Sequence, residues 1–132
     1  MTPFANPEVE KAFSNFAALQ KDYLLQLREL IFDVAKNTEN VGVIDETLRW
    51  GQPAYLTKQP KSGTTIRLGL THSEKCAMFT HCQTTVVSDF RSLFPNDFEY
   101  DGNRALIIAN LSDPNPLLRQ FVSSALTYHV RS

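Results

Sequence analysis

At 132 residues, with 42% hydrophobic and 20% charged side chains, the chain has the size of one domain, spanning residues 1–132, and enough apolar material to bury a core without metal or disulfide support. Thirteen basic against fourteen acidic residues leave a formal charge of −1, which argues against a nucleic-acid partner, because that requires a strongly basic face. No apolar run approaches the ~20 residues that cross a bilayer, and the stretch from Met1 to Glu8 lacks the basic and apolar regions of a secretion signal. The expectation is a reduced cytoplasmic protein with no membrane partner.

The elements follow in chain order. Asn6-Pro7 with Glu8 and Glu10 predicts a helix start, since Asn caps, Pro suits the first turn and acids favour the positive end of the helix dipole. Val9, Ala12, Phe13 and Phe16 continue it at helical spacing. A longer helix is predicted from Gln20 to Lys36, with Leu24, Leu27, Ile31, Val34 and Ala35 inward and Leu30 at the margin. Val41 to Arg49 is ambiguous, and Asp45 to Arg49 reads as a helical turn.

From there the period changes to two. Ala54 to Thr57, Thr65 to Thr71 and Lys75 to His81 read as strands, separated by turn-like segments. Thr84 to Leu93 reads as a helix. A hairpin follows, Phe98 to Tyr100 and Arg104 to Ala109 around Asp101-Gly102-Asn103. Leu106 to Ala109 is apolar on both faces, which places it centrally in the sheet. Asp113-Pro114-Asn115-Pro116 introduces a last helix through His129, with Leu117, Phe121, Ala125 and Leu126 inward. The fold class is α+β, in the order α-α-β-β-β-α-β-β-α, with an antiparallel sheet of about five strands and helices mainly on one side.

Trp50-Gly51-Gln52-Pro53-Ala54-Tyr55, set after two helices, resembles the YdhG-like family of small uncharacterised domains. His81-Cys82-Gln83-Thr84, Phe90-Arg91, Gly102-Asn103-Arg104-Ala105 and Leu126-Thr127-Tyr128-His129 are similar to further landmarks of that family. The resemblance runs from Pro7 to His129 and implies a compact α+β fold. It also implies one activity to weigh, because some members are described as frataxin-like iron chaperones; fold alone does not assign it.

The residues carry several chemical readings. His72, Cys76, His81 and Cys82 cluster in sequence, but alternation along a strand turns Cys76 and His81 to opposite sides, so no structural zinc is expected. Cys76 and Cys82, six apart on an extended segment, stand roughly 20 Å apart, beyond disulfide reach. Asp22, Gln26, Glu29 and Asp33 form one polar stripe on the long helix, where only Glu29 and Asp33 are close enough to share a weakly bound iron; a solvated helix face is the alternative. Asp97, Glu99 and Asp101 form a second acidic row with the same alternative. No nucleophile elbow is present, Lys61-Ser62-Gly63-Thr64 lacks the ordered phosphate-loop pattern, and no catalytic residue is assigned.

The arginines point elsewhere. Arg67 lies inside a strand, Arg104 opens an apolar one and Arg91 sits on the helix between them. Arginine in a sheet needs a partner. Gly51 and Pro53 fix a bend that carries Trp50, Gln52 and Tyr55, either as a recognition edge or as a structural corner whose rings fill core. The candidate ligand-binding set is therefore Trp50, Gln52, Tyr55, Arg67, Gln83, Arg91 and Arg104. The expected function is a non-catalytic binding or carrier domain for a small anionic ligand. The alternatives are a ferrous-iron chaperone through Glu29 and Asp33, an enzyme of unrecognised type, and a partner-protein role through exposed aromatics.

Overall fold

A computed structural model describes residues 1–109 and 115–130 of the chain. Its elements are helices α1 (Pro7–Ser14) and α2 (Ala18–Asn37), strands β1 (Val43–Arg49), β2 (Gln52–Lys58), β3 (Ile66–Leu70) and β4 (Cys76–Phe79), helix α3 (Val86–Leu93), strands β5 (Glu99–Asp101) and β6 (Ala105–Ile108), and helix α4 (Leu117–Leu126). The six strands form one antiparallel sheet in the order β1-β2-β3-β4-β6-β5. The sheet thus holds one strand more than the sequence led us to expect. The Asp113-Pro114 part of the turn expected before the last helix lies outside the described residues.

The additional strand is β1, where a helical turn was expected from Asp45 to Arg49. It pairs with β2 over its whole length, from Val43 opposite Lys58 to Arg49 opposite Gln52. Its alternation was hidden by charge. Ile44, Glu46 and Leu48 face the helices, and a carboxylate in the middle of that row breaks the apolar-inward pattern on which a strand reading depends. Glu46 is tolerated there because a buried arginine meets it, as described below.

The helix starts follow their local chemistry. Asn6 Oδ1 accepts the Glu8 amide at 2.9 Å, with Pro7 in the first turn of α1. Val9 and Phe13 of α1 and Leu24, Leu27, Ile31 and Val34 of α2 are buried, as their spacing predicts. On α4 the inward row is Leu118, Phe121, Val122, Ala125 and Leu126, so Leu118 takes the place expected of Leu117, which is half-buried. Together these pack against one face of the sheet, on Tyr55, Ile66, Leu68, Cys76, Met78, Leu106 and Ile108. Strand β6 has neighbours on both sides, in keeping with its apolar sequence, but lies one strand in from the edge rather than at the centre.

The opposite face is built differently. Ala54, Arg67, Phe79 and Ala105 lie side by side across β2, β3, β4 and β6, with Asp101 of β5 at the end of the row. None of them belongs to the helix-facing core. This second face carries the candidate site.

Candidate functional site

The β1–β2 connection is a two-residue hairpin. Arg49 pairs with Gln52, and Trp50 and Gly51 between them have φ of +56° and +74°. Both central residues in the left-handed region is the turn geometry that suits the twist of a tight hairpin, where Asn-Gly is the usual occupant. Gly51 meets that demand freely, whereas Trp50 does not. The indole is 89% exposed at the hairpin tip, so Trp50 is not a core-filling corner. Pro53 keeps Gln52 extended, and Gln52 starts β2.

Gln52 reaches across the sheet. Its carboxamide lies over Gly69 of β3, in space that the side chain of any other residue at position 69 would enter. From there Gln52 Oε1 accepts a hydrogen bond from Arg67 Nη1 at 2.8 Å. The Arg67 guanidinium carbon stands 5.4 Å from the Phe79 ring centroid, and that ring also borders the space above Gly69. A glycine in the middle of a strand costs stability. Here it makes room for the amide that holds Arg67.

Arg67 is half-buried, and among the described residues no carboxylate lies within ion-pair distance of it. Gln52 takes one of the five guanidinium donors. Burial lowers the Arg67 pKa from its ordinary value, and the nearby Arg104 guanidinium lowers it further. Arg104 itself is exposed and paired with Asp101 at 3.0 Å. Positive charge is therefore concentrated on this face and only partly neutralised.

Two clefts meet at Arg67. One, of about 290 Å³, is bounded by Gln52, Phe79, His72, Asp101 and Arg104. The other, of about 510 Å³, runs from Trp50, Arg49 and Lys61 past Arg67 to His81, Gln83 and His129. No Asp or Glu lines the larger cleft. Its hydroxyls come from Thr64, Thr65, Thr84 and Tyr128. Its volume falls in the usual range for small-molecule sites.

No family model, curated protein or solved structure matches the chain.

Of the residues singled out from sequence, Trp50, Gln52, Arg67, Gln83 and Arg104 line these two clefts. Tyr55 does not. It is fully buried on the helix side of β2, where its hydroxyl donates to Glu46 Oε2 at 2.7 Å. Burial, followed by the neighbouring Glu46 carboxylate, raises its pKa well above the ordinary phenol value. Strand alternation separates it from Gln52 and Ala54. Arg91 is also elsewhere: it stacks on Tyr100, 5.6 Å from the ring centroid, and donates to the Gly102 carbonyl at 3.3 Å. Arg49, Lys61 and His129 join the site from outside the candidate set. Lys61 falls in a loop that lacks the phosphate-binding pattern, His129 enters only as part of a family landmark, and Arg49 carries no signal beyond charge beside a turn.

Other clusters separate in the same way. Cys76 is buried in β4, and burial pushes its thiol up to about 11. His81 and Cys82 are exposed and lie beyond the end of β4, which stops at Phe79 rather than continuing to His81. Among the described residues no three His, Cys, Asp or Glu side chains are grouped as a metal site. Glu29 accepts hydrogen bonds from the Thr2 amide and hydroxyl at 2.9 and 2.7 Å and pairs with Arg28. Asp33 is held by Arg119 and by the Asn37 amide. An ion shared by Glu29 and Asp33 would have to displace an arginine from each. In the second acidic row, Glu99 pairs with Lys75 and Asp101 with Arg104. Among the described residues no helix is long and apolar enough to cross a membrane.

Proposed function

We propose that this protein is a non-catalytic binding or carrier domain for a small anionic ligand, held on the helix-free face of the sheet with Arg67 at its centre. The observation that carries this reading is the state of Arg67: a half-buried guanidinium with one neutral hydrogen-bond partner, no carboxylate partner among the described residues, and a second arginine close enough to depress its pKa. A cation in that position is costly unless something negative completes it. The same chain shows what a completed arginine looks like. Arg28, fully buried, is met by Glu46, Glu29 and two backbone carbonyls. An anion entering either cleft would supply to Arg67 what Glu46 supplies to Arg28.

The YdhG-like resemblance belongs to the same proposal, since the stretch from Trp50 to Tyr55 that carries it forms the hairpin tip and the first residues of β2, with Trp50 and Gln52 at the rim of the site and Tyr55 turned into the core. Iron delivery is the weaker reading because Glu29 and Asp33 are each already engaged by an arginine. The test is calorimetric titration with inorganic phosphate, pyrophosphate and citrate. Binding is expected, and Arg67→Gln should weaken it by about 1.5–3 kcal/mol, the range for a hydrogen bond to a charged group. Arg91→Gln, outside the clefts, should leave it unchanged. If none of the three anions binds, or if Arg67→Gln binds them as the parent does, the site is elsewhere.

A further inference from the structure

The larger cleft has an aromatic wall as well as a cationic one. Trp50 occupies a left-handed backbone position that disfavours bulky side chains, and the residue is 89% exposed, so neither turn geometry nor burial accounts for an indole there. A glycine or asparagine would make the same turn with less strain and less exposed apolar surface. Trp50 lines the same cleft as Arg49, Lys61 and Arg67. Arg49 makes a single long contact, 3.4 Å to the neighbouring Leu48 carbonyl, and among the described residues neither Arg49 nor Lys61 has a carboxylate partner. Cations spread along a wall without acids, beside an uncovered π-face, match a multiply charged head joined to a flat ring.

We infer that the ligand of this site is a ring-bearing organic phosphate of mononucleotide size, with its ring stacked on Trp50 and its phosphate directed to Arg67 and Lys61. This rests on the anion-binding reading above and adds to it the identity of the second half of the ligand. A cleft of about 510 Å³ is sufficient for such a molecule. Ring stacking on an aromatic side chain is tolerant of ring identity and contributes roughly tenfold or more to affinity. The site therefore selects for a flat ring with a phosphate and not for one particular base.

The chain contains one Trp, so its fluorescence reports on Trp50 alone. Adenosine 5′-monophosphate and ribose 5-phosphate serve as probes, carrying the same phosphate with and without a ring. The nucleotide is expected to bind about tenfold more tightly and to quench the indole, while the sugar phosphate binds without quenching. By calorimetry, Trp50→Asn, which keeps a residue suited to the turn, should bring the nucleotide down to the affinity of the sugar phosphate and leave the latter unchanged. Equal affinity of the two probes for the parent protein, or an unchanged preference in Trp50→Asn, overturns the ring assignment while the anion site stands. Failure of both probes to bind, or Arg67→Gln leaving both affinities unaltered, removes the anion site and this inference with it.

Discussion

Two arginines on opposite faces of the sheet illustrate how differently a guanidinium can be accommodated. Arg28 is sealed between the rings of Phe4 and Phe32, 3.8 and 5.1 Å from their centroids. Its Nε and Nη2 donate to the two oxygens of Glu46, and Nη1 donates to the Thr2 carbonyl and to Glu29. Desolvation is the largest single influence and would lower its pKa, but the Glu46 hydrogen bond together with the surrounding negative charges, Glu46 and Glu29 among them, leaves that pKa raised. Such a pair is not a large net source of stability, because both charges left water to form it. Breaking it is another matter, since the Glu46 side chain is only 9% exposed and would be left unpaired. Arg28→Met is expected to lower unfolding free energy by about 3–5 kcal/mol in urea titrations. Adding Glu46→Leu should recover much of the loss, because an apolar pair of similar volume carries no uncompensated charge. A double variant as unstable as the single one would mean that the loss came from released N-terminal contacts instead.

At the scale of elements, close backbone approach is the deciding constraint. The loop between β2 and β3 grips the end of α4: Ser62 Oγ donates to the Leu126 carbonyl at 2.8 Å and accepts from the Gly42 amide at 3.1 Å, and the Thr64 amide donates to the Ala125 carbonyl at 2.9 Å. Gly63 lies so close to Ala125 and Leu126 that a Cβ would collide with their backbone, which cannot swing aside as a side chain can. At Gly69 the obstructing group is the mobile end of Gln52. The two glycines should therefore separate stability from binding. Gly63→Ala is expected to cost about 1–3 kcal/mol in thermal or urea unfolding, the usual range for overpacking. Gly69→Ala should unfold near the parent midpoint yet bind phosphate up to about tenfold more weakly, as expected for loss of the Gln52 hydrogen bond that positions Arg67. The reverse pattern would show that Gly69 serves packing and not the site.

At the scale of the whole molecule, one face of the sheet holds a continuous apolar core and the other holds Arg67 and Arg104. Groups that ionise inside that core tie its stability to pH. Burial raises the pKa of Cys76 from 9.0 to about 11 and raises Tyr23 and Tyr55 above 10.0. Each is harder to deprotonate folded than unfolded, so its contribution is complete below the ordinary value and is lost as pH rises through that value and above. Unfolding free energy is expected to decline between about pH 9 and 11, with a shallower decline in Cys76→Val. A pH-independent result over that interval would place the thiol in water.

The sequence by itself determined the helices, most of the strands and the inward rows, because these rest on local propensity and on periods of 3.6 and 2 that one segment carries alone. Val9 and Phe13, Leu24 through Val34 and the Asn6 cap were readable in this way. Strand β1 was not, because its period is interrupted at Glu46 and the residue that makes Glu46 acceptable, Arg28, comes 18 positions earlier in the chain. The site followed the same division. Trp50, Gln52, Arg67, Gln83 and Arg104 could be singled out as residue types that need an explanation, but only strand pairing decided that Tyr55 turns away, that Gln52 crosses Gly69 to reach Arg67, and that Arg91 is spent on Tyr100. Charge compensation and close approach are properties of residue pairs brought together by folding, and the deciding pairs, Arg28 with Glu46 and Gln52 with Arg67, stand 18 and 15 positions apart on different elements.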